Sequence, residues 1–135
     1  MNVRFGDASY FIALFNPGDP HHFAANRFRR EPNFIVTTNL VVTEFLNSTA
    51  KGFKRLAAAS EVRDWLTDPT MRIVAFDQPL MIRAVRLYEQ RSDKNWGLAD
   101  CASFVVMDDL GIRQALTADH HFVQAGFEAL LPVAK

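Results

Sequence analysis

The sequence ALTADHHF, residues 115–122, places a short β-prone run directly before an acidic residue and a helix. The run ends at Thr117, Asp119 follows it, and a short helix is predicted from His120 onward. An aspartate in this position can cap the helix, accept a phosphoryl group or bind a metal ion. The choice among these roles depends on whether carboxylates from other parts of the chain reach the same point.

The same order of strand and helix recurs along nearly the whole chain. Because parallel strands need crossover connections, the alternation predicts an α/β fold, a three-layer α/β/α domain with a central parallel sheet of about five strands. The predicted strands cover residues 3–6, 33–38, 71–76, 113–117 and 129–133. The predicted helices lie within residues 7–16, 22–30, 39–52, 54–66, 77–91, 98–110 and 120–125, with Gly52 expected to stop the third.

Size and composition predict one globular domain spanning residues 1–135. The 135-residue chain has no internal repeat or linker, and its 49% hydrophobic residues can form a core. The 15 basic and 15 acidic side chains balance, which gives no global attraction to nucleic acid but allows a local basic patch. A single cysteine, Cys101, and the lack of an apolar leader or membrane-length apolar run predict a cytoplasmic protein without a membrane segment.

Four acidic residues occupy positions that favour a shared site. Asp7 and Asp119 each follow a predicted strand, and sites in such sheets form at the carboxyl ends of strands near a reversal of strand order. Glu44 and Asp100 lie in helices that are otherwise largely apolar, where carboxylates are rare unless they are paired or bind a metal ion.

Each of the four acids also has a structural explanation when it is considered alone. Asp7 and Asp119 can cap the helices that follow them. Glu44 can point to solvent along a polar stripe of its helix, and Asp100 can interact with the dipole at its helix N-terminus. Convergence of all four would place like charges together, which a divalent cation resolves. Oxygen ligands suit Mg²⁺ or Mn²⁺, so the pattern indicates metal-assisted phosphodiester hydrolysis.

Four segments of the chain resemble the PIN domain family, and specifically the VapC-type ribonuclease toxins of prokaryotic toxin–antitoxin pairs. They are DASYFIALFNPGDPHH, TTNLVVTEFLN, DKNWGLADCASFVVMDDLGI and ALTADHHFVQAGFEALLP, and they span nearly the whole sequence in the order of the family. The first strand departs from the family pattern because Arg4 and Gly6 make it less hydrophobic, and Ala99 and Ala118 replace larger or polar neighbours of the acids.

The resemblance implies an endoribonuclease that uses Mg²⁺ or Mn²⁺ and leaves 5′-phosphate and 3′-hydroxyl ends. It implies an RNA substrate, a cognate antitoxin that occludes the site and covers exposed apolar surface, and a homodimer. Asp7, Asp100 and Asp119 match the metal ligands, and Glu44 matches a ligand or the base that orients water. Ser9 and Thr117 match polar positions near the site, and Asp93 matches an acidic position before the third acid.

Two other classes of protein fit parts of the pattern. A receiver-like phosphoacceptor usually has paired acids after its first strand and a lysine after its last, whereas Asp7 has no acidic neighbour and Lys135 is terminal. A catalytically silent PIN-fold module that binds RNA or protein remains an alternative, although the complete set of acids argues against it.

Some conspicuous residues are not assigned to the site. The pairs His21–His22 and His120–His121 are not expected to bind zinc, because adjacent helical side chains point in different directions. Asp77 also follows a strand, but Pro79 shortly after it predicts a helix cap. Two basic groups are interpreted as solvated surface that can also steer an RNA backbone: Lys51, Lys54, Arg55 and Arg63, and Arg27, Arg29 and Arg30.

Overall fold

The computed structural model describes residues 1–132, and in this range the strands form one five-stranded sheet. The strands are β1 (Asn2–Gly6), β2 (Asn33–Thr38), β3 (Met71–Val74), β4 (Gln114–Leu116) and β5 (Glu128–Ala129). They lie in the order β3-β2-β1-β4-β5, and every neighbouring pair is parallel. The predicted fold class is confirmed.

Seven helices are described, and they form two groups. They are α1 (Ala8–Phe15), α2 (His22–Arg29), α3 (Asn39–Ser48), α4 (Arg55–Trp65), α5 (Gln78–Gln90), α6 (Leu98–Leu110) and α7 (His120–Gln124). One group contains α1, α2, α3 and α4, the other contains α5, α6 and α7, and the helices within each group are linked by contacts. Because the chain reverses its direction across the sheet after β3, right-handed crossovers place the two groups on opposite faces. None of the described helices is long and apolar enough to cross a membrane.

The strand order reverses between β1 and β4. In parallel sheets, ligands typically bind at the carboxyl ends of the strands beside such a reversal. In the register of the sheet, Phe5 lies opposite Ala115 and Gly6 lies opposite Leu116. The backbone N–H of Asp7 then donates to the carbonyl of Leu116 over 3.1 Å. The residues that follow β1 and β4 are therefore neighbours at the carboxyl edge of the sheet.

An aromatic cluster joins three elements that contain or directly adjoin predicted site residues. Phe104 of α6 packs edge-on against Phe122 of α7, with 5.0 Å between ring centroids. Phe122 in turn lies 6.2 Å from Phe5 of β1, and all three side chains are buried. Buried aromatic pairs of this kind contribute about 0.5–1.5 kcal/mol beyond the burial of their area. The cluster fixes β1, α6 and α7 relative to one another.

The two unusual residues of β1 have structural explanations. A Cβ atom added to Gly6 would lie 2.7 Å from Cζ of Phe11, so any larger residue at this position would force the buried ring to shift. The guanidinium of Arg4 is buried, and its nitrogens donate to Asn33 (2.8 Å), Glu31 (3.0 Å) and Gln114 (3.1 Å). A buried charge is tolerated when it is paired and hydrogen-bonded in this way.

Helix α3 ends at Ser48, so the prediction that Gly52 stops it is wrong. The hydroxyl groups of Ser48 and Thr49 donate to the carbonyls of Phe45 (2.6 Å) and Leu46 (3.1 Å). These bonds satisfy carbonyls of the last turn and end the helix early. Gly52 lies in the following loop with φ 97°, a backbone angle that glycine adopts readily.

Two strands also end differently from the prediction. β3 stops at Val74, which pairs with the last residue of β2, and the N–H of Phe76 donates to the side chain of Asn39 over 2.7 Å. β5 covers Glu128–Ala129 instead of residues 129–133. Pro132 has no N–H to continue the pairing, and residue 133 lies outside the described residues.

Candidate active site

Asp7 lies between β1 and α1, and its carboxylate contacts the opposite strand end. Oδ2 accepts hydrogen bonds from the hydroxyl groups of Thr117 (2.7 Å) and Ser9 (3.4 Å). Asp7 occupies the N-cap position of α1, but its side chain forms no capping hydrogen bond, so the alternative of a side-chain cap is not realised. The pKa of Asp7 is raised from 3.8 to about 6. Burial is the largest cause, the Thr117 hydroxyl opposes it in part, and the charges of Asp100 and Asp119 add to it.

Thr117 and Ser9 form a small hydroxyl network beside Asp7. Thr117 is fully buried at the end of β4, and its Oγ1 accepts a hydrogen bond from the N–H of Asp119 over 3.0 Å. The hydroxyl of Ser9 lies 3.3 Å from that of Thr117 and accepts from the N–H of Ala118 over 3.1 Å. Asp7 and Asp119 are thus connected through one threonine.

Asp119 caps α7 and also lies at the acidic site. Its Oδ1 accepts the backbone N–H of His121 over 2.9 Å, as the capping prediction requires. Its negative charge acts on the pKa values of Asp7, Glu44 and Asp100. Capping and membership of the acidic cluster are therefore compatible.

Asp100 lies in the first turn of α6, where Oδ2 accepts the N–H of Gly97 over 3.2 Å. The same oxygen lies 3.0 Å from Nδ1 of His121. Burial raises the pKa of Asp100, the hydrogen bond from His121 lowers it in part, and the charge of Asp119 raises it. Asp100 thus accepts a backbone hydrogen bond at the N-terminus of α6 and belongs to the same cluster.

Glu44 lies on α3 with its side chain exposed at the edge of the cluster. The pKa of Glu44 is raised from 4.5 to about 7. Desolvation of the carboxyl group by the surrounding protein is the largest cause, and the charges of Asp7, Asp100 and Asp119 add to it. The expectation that Glu44 can point to solvent is correct, because its side chain is exposed. The charges of three other acids nevertheless act on its pKa.

The donor set fits a divalent cation. Protein donors engage one oxygen in each of three carboxylates, Oδ2 of Asp7, Oδ2 of Asp100 and Oδ1 of Asp119. Within residues 1–132 no side chain donates to the second oxygen of any of them. Burial, and after it the negative charges of neighbouring acids, raises the pKa values of Asp7 and Glu44. Carboxylate oxygens held in this way are suitable ligands for Mg²⁺ or Mn²⁺.

Asp93 is not brought to the acidic cluster. Its exposed carboxylate accepts two hydrogen bonds from Arg91, at 3.0 Å and 3.1 Å. The neighbouring guanidinium lowers the pKa of Asp93, whereas burial and like charges raise those of Asp7, Glu44 and Asp100. Its assignment to the site stays a prediction from the family resemblance.

The expectation that His120 and His121 point apart is wrong. Their ring centroids lie 4.5 Å from each other, and both rings lie beside Asp119. Helical side chains tilt toward the helix N-terminus, which directs both rings back toward Asp119. Nδ1 of His121 approaches Asp119 Oδ1 to 3.5 Å, whereas that of His120 lies 3.7 Å away. The tilt of helical side chains could have indicated from the sequence that the His121 ring lies near Asp119, but not that it contacts Asp100.

The histidines at the start of α2 have a structural role. Nδ1 of His22 lies 2.6 Å from the carbonyl oxygen of Ala13, and Nε2 lies 2.9 Å from the amide nitrogen of Asn26. Both ring nitrogens are thus engaged between α1 and α2.

Comparisons with known proteins identify relatives across almost the full chain. The family model for the PIN domain matches residues 5–128. The 23S rRNA-specific endonuclease VapC20 of Mycobacterium tuberculosis is 30% identical over 132 residues, which cover 95% of this chain and 98% of that protein.

Solved structures show the same relationship. The crystal structure of M. tuberculosis VapC20, described as a sarcin-ricin loop cleaving toxin, matches with a TM-score of 0.85 and 26% identity over 97% of this chain and all of that one. A toxin–antitoxin complex from Klebsiella pneumoniae matches with a TM-score of 0.63 over 87% of each chain. At 17% identity this second likeness shows the fold alone.

Proposed function

This chain belongs to the PIN domain family, and we propose that it is a metal-dependent endoribonuclease, the toxin component of a type II toxin–antitoxin pair. The observation that supports this proposal most strongly is the meeting of Asp7, Asp100 and Asp119 where the strand order reverses. The charges of neighbouring acids contribute to the raised pKa values of Asp7, Glu44 and Asp100, and this supports a shared acidic site.

The roles of the residues follow from their contacts. Asp7, Asp100 and Asp119 would hold Mg²⁺ or Mn²⁺, and Glu44 would be a further ligand or the base that orients the attacking water. When bound, the cation supplies Lewis acidity toward the phosphodiester and toward water. The Thr117 and Ser9 hydroxyl groups fix one oxygen of Asp7, so that its orientation is set before a cation binds.

Glu44 is the candidate for proton transfer among the four acids. Desolvation and the neighbouring acids raise its pKa to about 7 in the metal-free protein, and a bound cation would lower it by supplying counter-charge. Its exposed position at the edge of the cluster leaves it accessible to water and to the RNA backbone. The products expected from the family resemblance carry 5′-phosphate and 3′-hydroxyl groups.

The first substrate to test is 23S ribosomal RNA. The VapC20 relative is named as specific for 23S rRNA, and its solved structure is described as that of a toxin that cleaves the sarcin-ricin loop. Because the match covers nearly all of both chains, we propose the same RNA as the substrate of the present protein.

A cognate antitoxin is the second proposed partner. Large apolar side chains on the α1–α4 face are exposed, and they form the type of surface that a protein partner covers. They are Phe23 (86% exposed), Phe53 (90%) and Leu56 (80%). The likeness in fold to a solved toxin–antitoxin complex supports this proposal.

The proposed activity is tested by incubating purified protein with total RNA and Mn²⁺ and mapping new 5′-phosphate ends. Discrete ends that disappear when EDTA is added are expected. Their absence, from protein shown to be folded and free of bound inhibitor, would favour the alternative of a catalytically silent PIN-fold module that binds RNA or protein.

A further inference from the structure

His121 contacts two of the proposed metal ligands at once. Its backbone N–H donates to Oδ1 of Asp119 over 2.9 Å, and its ring Nδ1 lies 3.0 Å from Oδ2 of Asp100. Its side chain is only 20% exposed. Because an ionised carboxylate only accepts hydrogen bonds, the hydrogen of the ring contact belongs to Nδ1 of the histidine.

We propose that His121 is a positioning residue that orients the carboxylates of Asp100 and Asp119 for cation binding. This inference rests on the proposed function, because it presumes that the acids bind a divalent cation. It assigns His121 no contact with the cation or the RNA.

The contact with Asp100 is important because it joins two separate elements. Asp100 belongs to α6, and its other donor, Gly97, immediately precedes the same helix. Within residues 1–132, His121 provides the hydrogen bond to the Asp100 carboxylate from α7, the helix that Asp119 caps. The bond therefore sets the orientation of one ligand relative to the other.

A carboxylate that is fixed in advance loses less conformational freedom when it binds a cation. Oδ2 of Asp100 is held by donors from two directions, Gly97 and His121, so rotation of the carboxylate is restricted. Loss of the histidine donor leaves only the backbone contact at Gly97. Removal of such an outer hydrogen bond typically weakens metal binding about 10-fold to 100-fold.

His120 provides an internal comparison, because it is adjacent to His121 but lacks these contacts. Its Nδ1 lies 3.7 Å from Asp119 Oδ1, which exceeds hydrogen-bond distance, and its side chain is 58% exposed. Substitution of His120 removes an imidazole from the same helical turn without removing a donor to either carboxylate.

The test is calorimetric titration of Mn²⁺ into metal-stripped protein carrying His121→Leu, His121→Asn or His120→Leu. Leucine and asparagine have the same branched shape, but only asparagine carries a donor, and its Nδ2 branches from Cγ as Nδ1 of histidine does. We expect His121→Leu to weaken Mn²⁺ binding by at least about tenfold, His121→Asn to restore most of it, and His120→Leu to bind like wild type.

Thermal unfolding without metal shows whether each variant is folded, and His121→Ala repeats the loss of the donor without apolar bulk. Wild-type affinity in the leucine and alanine variants would overturn the proposal, as would equal losses in the asparagine and leucine variants. An equal loss in His120→Leu would also overturn it. Failure of the wild type to bind Mn²⁺ is a different result, because it would remove the metal site and the proposed function as well.

Discussion

The buried hydroxyl of Thr117 is the hydrogen-bond centre of the acidic site. It donates to Asp7 over 2.7 Å and accepts the backbone N–H of Asp119 over 3.0 Å. Removing it leaves a carboxylate without its strongest donor and an N–H without its acceptor, and buried groups left in this state cost about 1–3 kcal/mol. Thr117 is therefore expected to affect both stability and activity.

Thr117→Val tests this expectation because valine keeps the shape of threonine. We expect RNA cleavage to fall about tenfold or more, with a loss of stability of about 1–3 kcal/mol. Thr37→Val is the matched control, since Thr37 is equally buried and its hydroxyl donates to the carbonyl of Gly6 instead of a carboxylate. Comparable stability losses in chemical denaturation, with cleavage reduced only in Thr117→Val, are expected. Equal cleavage rates in the two variants would show that the Thr117 hydroxyl does not serve the site.

The raised pKa of Asp7 predicts an unusual dependence of stability on pH in the metal-free protein. Between pH 3.8 and about 6 the folded protein keeps a proton on Asp7 that the unfolded chain releases. Stability contributed by the protonated form is therefore fully present below pH 3.8 and is lost as the pH rises to about 6. A neutral residue at this position does not lose stability in that range.

Asp7→Asn, measured in EDTA, is accordingly expected to gain stability relative to wild type as the pH increases. The difference in unfolding free energy between the two proteins should grow by about 2 kcal/mol from roughly pH 4.5 to 7.5. Chemical denaturation at both pH values measures it. A difference that is the same at both values would show that burial does not perturb this carboxyl group.

The loop between α3 and α4 has the composition of an RNA-binding element. Phe53 is 90% exposed there, and Lys51 and Lys54 lie on either side of it in the sequence. The ammonium of Lys54 lies 6.0 Å from the ring centroid of Phe15, whereas the guanidinium of Arg55 donates to the carbonyl of Ala50. The two lysines are thus better candidates for phosphate contacts than Arg55.

Lys51→Ala combined with Lys54→Ala is expected to weaken RNA binding and to flatten its dependence on salt. Each lost phosphate contact reduces the slope of log K against log salt by about 0.7–0.9. Arg72→Ala combined with Lys94→Ala removes the same charge elsewhere and should leave the slope unchanged. Binding to RNA, measured with the Asp7→Asn background at several salt concentrations, provides the slopes. Identical slopes for the two double variants would exclude the loop as a phosphate-binding element.

At the scale of elements, hydrophobic patterning predicts the helices and strands well, but it misses ends that depend on side-chain hydrogen bonds. Periodicity located α6 at residues 98–110, and in the structure this helix ends at Gly111, which adopts φ 67°. The end of α3 was missed because hydroxyl groups of Ser48 and Thr49 terminate it, and such bonds leave no periodic signal. The end of β3 was missed because it depends on the side chain of Asn39, 37 residues from Phe76.

The four acids of the candidate site can be predicted from the sequence. Strand-end position and misplaced polarity identify Asp7, Asp100, Asp119 and Glu44 individually, and parallel topology brings strand ends together. The contact between His121 and Asp100 depends on how α6 and α7 pack through Phe104 and Phe122, and a sequence pattern does not contain that packing.

At the scale of the molecule, α5 presents an apolar stripe that supports the proposed homodimer. The buried face of α5 packs against α6 and includes Leu80 and Ala84. Its outer face exposes four large apolar side chains at helical spacing, Met81 (43%), Ile82 (46%), Val85 (38%) and Tyr88 (54%). A contiguous apolar surface of this kind typically marks a protein interface.

Ile82→Glu combined with Val85→Glu should convert the homodimer expected from the family resemblance to a monomer, because it places charges on both sides of a two-fold contact. Light scattering coupled to size exclusion measures the mass. Leu66→Glu, at a position that is 66% exposed on the other helical group, should leave the mass unchanged. A monomeric wild type, or a double variant that stays dimeric, would contradict this interface.

RNA cleavage by Asp7→Asn in Mn²⁺, compared with wild type and with Asp77→Asn, tests the acidic site most directly. Asp77 also follows a strand, but its carboxylate caps α5 by accepting the N–H of Leu80 over 3.0 Å, a role that asparagine performs equally well. We expect Asp7→Asn to lose at least about 100-fold in cleavage rate while it still binds RNA, and Asp77→Asn to cleave like wild type. Cleavage by Asp7→Asn at the wild-type rate would contradict the assignment of these acids as the catalytic site.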